Sequence, residues 1–115
     1  MRIRTIENKV AGIRQKLQEI GPMRPGSLNK QYTVCGKAGC RCVDSKNPRK
    51  HGPYYQLSYV HQGKSTTRFI RAQFVQEIKK ELANYKKFRQ LTEEWVRLSL
   101  ECSSIRLESR RKSES

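Results

Sequence analysis

The chain has 115 residues and a mass of 13.5 kDa, enough for one domain of ordinary size and too little for a multidomain enzyme. Leu, Ile, Val and Phe together supply 24 residues, close to the ~20% level below which strongly charged chains stay disordered, so the core is thin and needs reinforcement. Lys and Arg number 25 against 10 Asp and Glu, a net charge of +15 at pH 7, which makes a polyanion the leading partner, nucleic acid first and an anionic membrane surface as its rival.

The N-terminal residues alternate apolar and charged and contain no apolar run of signal-peptide length, and no stretch is long enough to span a bilayer. A reducing, cytoplasmic setting is therefore expected, in which Cys35, Cys40, Cys42 and Cys102 are thiols or metal ligands rather than disulfides. Ile3, Ile6, Val10, Ile13, Leu17 and Ile20 recur at alternating intervals of three and four, the seam of an amphipathic helix that needs a partner. This predicts a helix within residues 1–22, stopped at Gly21-Pro22, because proline disfavours helical geometry in the residue before it. Pro25-Gly26 completes a linker, and a weaker strand signal runs from Lys30 to Val34.

The next segment carries the chemistry. Cys35, Cys40 and Cys42 followed by His51 form a C-x4-C-x-C-x8-H pattern, a set of soft and borderline ligands suited to tetrahedral zinc. Cys40 and Cys42 flank a single residue, so an extended backbone projects both thiols to one side and Arg41 to the other. His51 is the expected fourth ligand, ahead of His61 and Cys102. Cys102 falls on a helical seam and reads as a small buried apolar residue.

Two β-rich runs, Tyr54 to Val60 and Ser65 to Ile70, flank His61-Gln62-Gly63-Lys64 and predict a β-hairpin with Gly63 at a position of positive φ. Tyr55, Leu57 and Tyr59 share the face assigned to the core, and Tyr54 falls on the other with Gln56 and Ser58. There its ring either stacks on an unpaired base or packs under the His51 loop. From Phe74 onward Ile78, Leu82, Tyr85, Phe88, Leu91, Trp95, Leu98, Cys102 and Ile105 recur every three or four residues, and no Pro or Gly follows Gly63. A long C-terminal helix is predicted over residues 72–109, with a basic, disordered tail at 110–115. Its seam around Leu91, Trp95, Leu98, Cys102 and Ile105 is the expected partner of the N-terminal seam, within one chain or across a dimer.

Charge is unevenly divided. Residues 1–22 carry a net +3 and residues 72–115 a net +3, whereas residues 23–71 carry ten basic residues against Asp44 alone. Nine net positive charges in this module exceed what solubility requires. Arg41, Lys46, Arg49, Lys50, Lys64, Arg68 and Arg71 are the candidate phosphate contacts, with Tyr54 as the candidate stacking residue.

Taken in order, Pro25-Gly26-Ser27-Leu28, the Cys35-Gly36-Lys37 and Cys40-Arg41-Cys42 cluster, His51-Gly52-Pro53-Tyr54-Tyr55, Leu57-Ser58, Gly63-Lys64 and Asn84-Tyr85 resemble an uncharacterised family of short basic prokaryotic proteins often found among mobile-element and transposase genes. The resemblance covers roughly residues 24–95. It implies a prokaryotic or phage setting and assigns neither an activity nor a catalytic residue.

Catalytic constellations are not suggested. Gly63-Lys64-Ser65 lacks the upstream glycine of a phosphate loop, since Ser58 stands there. Adjacent Glu93 and Glu94 point to different helix faces, and the middle module supplies almost no general base for a zinc hydrolase. The expected architecture is α+β: an N-terminal helix (residues 1–22), a zinc-stapled antiparallel sheet with a hairpin (23–71) and the long C-terminal helix. The expected function is non-enzymatic: a nucleic-acid-binding accessory protein of a mobile element or other ribonucleoprotein. Structured RNA is favoured over duplex DNA, because no recognition-helix signature appears and aromatic residues on a small basic sheet suit RNA loops. The alternatives are an adaptor that dimerises or docks to a larger enzyme such as a transposase through its helical seams, and a DNA-binding module. No membrane association is expected.

Overall fold

The computed structural model describes residues 2–33 and 51–114. In chain order these form helix α1 (Arg2–Gln18), strands β1 (Ser27–Thr33), β2 (His51–His61) and β3 (Lys64–Ile70), a short 3-10 turn (Ala72–Phe74) and helix α2 (Val75–Glu114). The chain is therefore α+β, with an N-terminal helix, a three-stranded antiparallel sheet in the order β1-β2-β3 and a long C-terminal helix. It divides into two compact units. One comprises residues 1–23 and 83–115, the other residues 24–82.

In the first unit α1 and α2 run antiparallel. The Pro22 carbonyl accepts a hydrogen bond from Asn84 Nδ2 at 2.8 Å at one end, the Arg14 guanidinium lies over the Trp95 ring, and Arg2 meets Glu101 at the other end. Both predicted seams face each other within this single chain. Ile6, Ile13, Leu98 and Cys102 are buried together, with Ile3, Val10, Leu17, Leu91, Trp95 and Ile105 packed around them. The alternating three and four spacing places these side chains in one stripe per helix, and burying each stripe against the other removes both from water. Cys102 is a free, buried thiol in this cluster, in keeping with its seam position.

The ends of both helices differ from the expected ones. α1 stops at Gln18, and the chain then tightens into i to i+3 bonds, Glu19 N to Lys16 O and Ile20 N to Leu17 O, both at 3.2 Å. These bonds satisfy two of the last helical carbonyls before Pro22 makes further helix impossible. α2 starts at Val75, after the 3-10 turn, and continues to Glu114, past residue 109 and into the segment expected as a disordered tail. Nothing in that stretch interrupts it: there is no Gly or Pro, and Arg, Lys and Glu are good helix formers.

In the second unit β2 is the central strand. Gln62 (φ 50°) and Gly63 (φ 78°) form the two-residue loop of the β2–β3 hairpin, both central residues having the positive φ of a type I′ turn. His61 pairs with Lys64, and the register carries through to Tyr55 opposite Ile70. On the other side β1 pairs from Ser27 opposite Ser58 to Gln31 opposite Tyr54, then slips by one residue at Gly52-Pro53, so that Thr33 pairs with His51. Alternation along β2 sends Leu57 inward, where it is fully buried, a burial worth roughly 1.5–3 kcal/mol. Val75 and Ile78 at the start of α2 are also buried in this unit. The Arg24 amide donates to the Glu81 carbonyl at 3.1 Å and ties the linker to α2.

Candidate functional site

The register divides the sheet into two chemically different faces. Leu28, Lys30, Tyr55, Leu57, Tyr59, Thr66, Arg68 and Ile70 alternate onto the face that buries Leu57. Lys64 and Arg68 therefore share a face with the core, at its rim, and not with Tyr54. The opposite face carries Ser27, Asn29, Gln31, Tyr54, Gln56, Ser58, Val60, Ser65, Thr67 and Phe69, and none of these is ionisable in the physiological range. Ser58 and Thr67 hydroxyls, paired across the ladder, hydrogen-bond to each other at 3.3 Å.

Two aromatic rings stand on this uncharged face: Tyr54 is 43% exposed and Phe69 is 72% exposed. Phe69 pairs with Gln56, two residues from Tyr54, so the two lie on a diagonal of the ladder, about 7–8 Å apart and within reach of each other's side chains. Arg71 follows the last paired residue of β3, and with Tyr54, Phe69 and Pro53 it lines a shallow cavity of about 340 Å³. Its side chain makes no cap to the helical turn it precedes.

A second cavity of about 340 Å³ lies on the packed side of β3. Arg24, Arg68 and Arg71 line it together with Phe74, Ile78 and the α2 carboxylates Glu77 and Glu81. The Arg24 guanidinium lies 4.9 Å from the centroid of the Tyr59 ring, a cation–π arrangement that holds it in place. Its Nε is buried and has no hydrogen-bond partner among the described residues. Elsewhere on the sheet, Lys30 lies 5.7 Å from the Tyr32 ring centroid, and its hydrogen bond with Tyr32 raises its pKa above the usual lysine value.

Of the residues singled out from sequence, Tyr54 and Arg71 are brought together, Arg68 joins Arg71 in the second cavity, and Lys64 sits apart at the hairpin turn. Cys35, Cys40, Arg41, Cys42, Lys46, Arg49 and Lys50 lie outside the described residues, as does the His51 imidazole. Among the described residues no group of three His, Cys, Asp or Glu side chains is placed to hold a metal ion. None of the described helices is long and apolar enough to cross a membrane.

Sequence reasoning missed Phe69 and Arg24. For Phe69 the signal was present: once His61 faces Lys64 across a two-residue loop, Ile70 must share the face of Tyr55, and Phe69 must point the other way. Arg24 gave no local signal, since it stands in a linker and reaches the cavity through a long-range bond to α2. The exposed groups with displaced pKa values mark ordinary surface pairs. Arg97 donates to Glu94 from both Nε, at 3.0 Å, and a terminal nitrogen, which holds the Glu94 carboxyl below the usual carboxylate range.

No curated protein and no solved structure matches the chain. The family described as a domain of unknown function, DUF6788, matches residues 3–80, and the chain belongs to that family.

Proposed function

We propose that the chain is a nucleic-acid-binding accessory protein that takes unpaired segments of a structured RNA, in a mobile element or another ribonucleoprotein. The observation that carries this reading is the open, uncharged sheet face with Tyr54 and Phe69 exposed side by side and Arg71 at their edge. Single exposed apolar residues are ordinary on a protein surface. Two adjacent rings in one cavity with an arginine are the stacking platform that unpaired bases use, because every base has a π-face. The field that would draw RNA to this platform comes from the ten basic residues of segment 23–71. The proposed role is binding without catalysis.

The proposal includes a structural zinc held by Cys35, Cys40 and Cys42, with His51 as the fourth ligand. It is supported by the pairing of Thr33 with His51, which brings together the two backbone positions that bound the segment carrying the three cysteines. The adaptor reading is weakened by the helical seams themselves. They pack against each other within one chain, so a dimer is not needed to cover their central residues Ile6, Ile13 and Leu98.

The test is a fluorescence anisotropy titration of the full chain with labelled hairpin-loop RNA, single-stranded RNA, duplex RNA and duplex DNA over a range of salt. Looped and single-stranded RNA are expected to bind tightest, with a log–log salt slope of about 0.7 per phosphate contacted. Tyr54→Ala is expected to weaken these two targets and leave the slope unchanged. Absence of binding at low salt, or equal affinity for duplex DNA, would overturn the reading.

A further inference from the structure

We infer that the arginine cavity on the packed side of β3 is a phosphodiester site, holding the backbone of a single strand whose base stacks on Tyr54 and Phe69 across the edge of the sheet. The inference rests on the nucleic-acid reading above and assigns to it a second, separate contact. Its starting point is topological: β3 is an edge strand, with no strand paired beyond it among the described residues. A chain of nucleotides can therefore pass around it from one face to the other.

The two cavities meet at this edge. Phe69, Ile70 and Arg71 are walls of both, so the aromatic platform and the arginine cavity are separated by the thickness of one strand. That is the span of a nucleotide, whose base and phosphate lie on opposite sides of its sugar. The arginine cavity is built for an oxyanion. Arg24, Arg68 and Arg71 converge on it, and none of the three forms an ion pair among the described residues. Arg24 is fixed by the hydrogen bond its backbone N–H donates to the Glu81 carbonyl and by Tyr59 beneath its guanidinium. Guanidinium forks match phosphate oxygens two at a time.

Glu77 and Glu81 share the cavity and likewise form no ion pair among the described residues. Three guanidinium groups against two carboxylates leave a net charge of +1. That balances a phosphodiester, which carries one negative charge, and leaves a terminal monoester in excess. The occupant is accordingly an internal link of a strand and not a mononucleotide or free phosphate.

The experiment measures binding of the full chain to a labelled ten-nucleotide single-stranded RNA and to an RNA duplex of the same length, as salt is varied. Phe69→Ala should lower single-strand affinity about tenfold, within the range of losing one base stack, with the salt slope and duplex affinity unchanged. Phe69→Tyr should restore it. Arg24→Gln should lower affinity and reduce the slope by about 0.7, one phosphate contact of a single strand. Combined with Phe69→Ala it should cost less than the product of the two single effects, because both act on one nucleotide. Should Arg24→Gln lower the melting temperature, exposed Arg68→Gln provides the same slope readout. A nucleoside 5′-monophosphate at matched ionic strength should not displace the RNA, and displacement would overturn the diester assignment. If the wild type binds neither RNA nor DNA, the nucleic-acid reading falls and this inference with it. If the wild type binds RNA but the arginine variants keep its affinity and slope, the phosphate site alone falls.

Discussion

Thr33 and His51 face each other as the last rung between β1 and β2. The two backbone positions that bound the cysteine-bearing segment are thus paired in the sheet, His51 being one of them.

If zinc is held as proposed, its binding would be part of folding. A metal gripping both ends would shut a loop whose entropy the thin core must otherwise offset. Chelation is expected to lower the melting temperature by roughly 10–20 °C, the effect of losing about 3 kcal/mol in a chain of this size. Cys40→Ser is expected to do the same without chelator. Protein purified without stoichiometric metal, and indifferent to chelator, would rule the zinc out.

The helical pair predicts a sharp contrast between two leucines two residues apart, on opposite sides of α2. Leu98 is 2% exposed within the cluster of Ile6, Ile13 and Cys102, whereas Leu100 is 64% exposed. Leu98→Ala is expected to cost about 2–5 kcal/mol in equilibrium denaturation, and Leu100→Ala to stay within about 0.5 kcal/mol of the wild type. Equal effects would mean that the seam is not where α2 packs. Both midpoints should be independent of protein concentration, because the seam closes within one chain.

Gly26 and Gly12 make a second contrasting pair. At Gly26 φ is +129°, and an added Cβ would come within 2.7 Å of the Ser58 carbonyl and 3.0 Å of Tyr59 Cβ, so Gly26→Ala is expected to destabilise by about 1–3 kcal/mol. Gly12 sits inside α1 with nothing within 4 Å of a Cβ, and Gly12→Ala is expected to stabilise by about 0.5–1 kcal/mol. Thermal melts of the two variants should move in opposite directions.

The Glu94–Arg97 pair gives a pH dependence of known sign. The hydrogen bond from Arg97 lowers the Glu94 pKa, partial desolvation opposes it, and the charges of Arg97 and Lys9 add to the lowering. A carboxyl depressed in the folded state contributes stability above its unfolded pKa and loses that contribution as pH falls through the folded one. The window therefore lies below the usual carboxylate value of 4.5. NMR titration should find Glu94 below that value and Arg97→Gln should return it. Because the pair is exposed, stability at neutral pH should hardly respond.

Much of the fold was legible because it follows from local geometry. Spacings of three and four in Ile3 to Leu17 and in Leu91 to Ile105 define one stripe per helix whatever surrounds them, and those stripes are the ones that pack. Gln62-Gly63 between two β-rich runs likewise fixed the hairpin and, through it, the face of every residue from Tyr55 to Ile70. Tyr54 could be assigned to the open face on alternation alone.

What sequence alone left open was which partners these faces take. A seam states that it must be covered and not by which chain, and only the antiparallel approach of α1 and α2 decided that it is covered from within. Net charge states how many cations a segment has and not on which side of a sheet they lie. Lys64 and Arg68 were read with Tyr54, but pairing placed them on the opposite face. Arg24 reached Arg68 and Arg71 because a linker amide bonds to Glu81, far along the chain. The division has one physical cause: periods of 3.6 and 2 residues are set by each backbone segment for itself, whereas the joining of faces is set by contacts between residues distant in sequence.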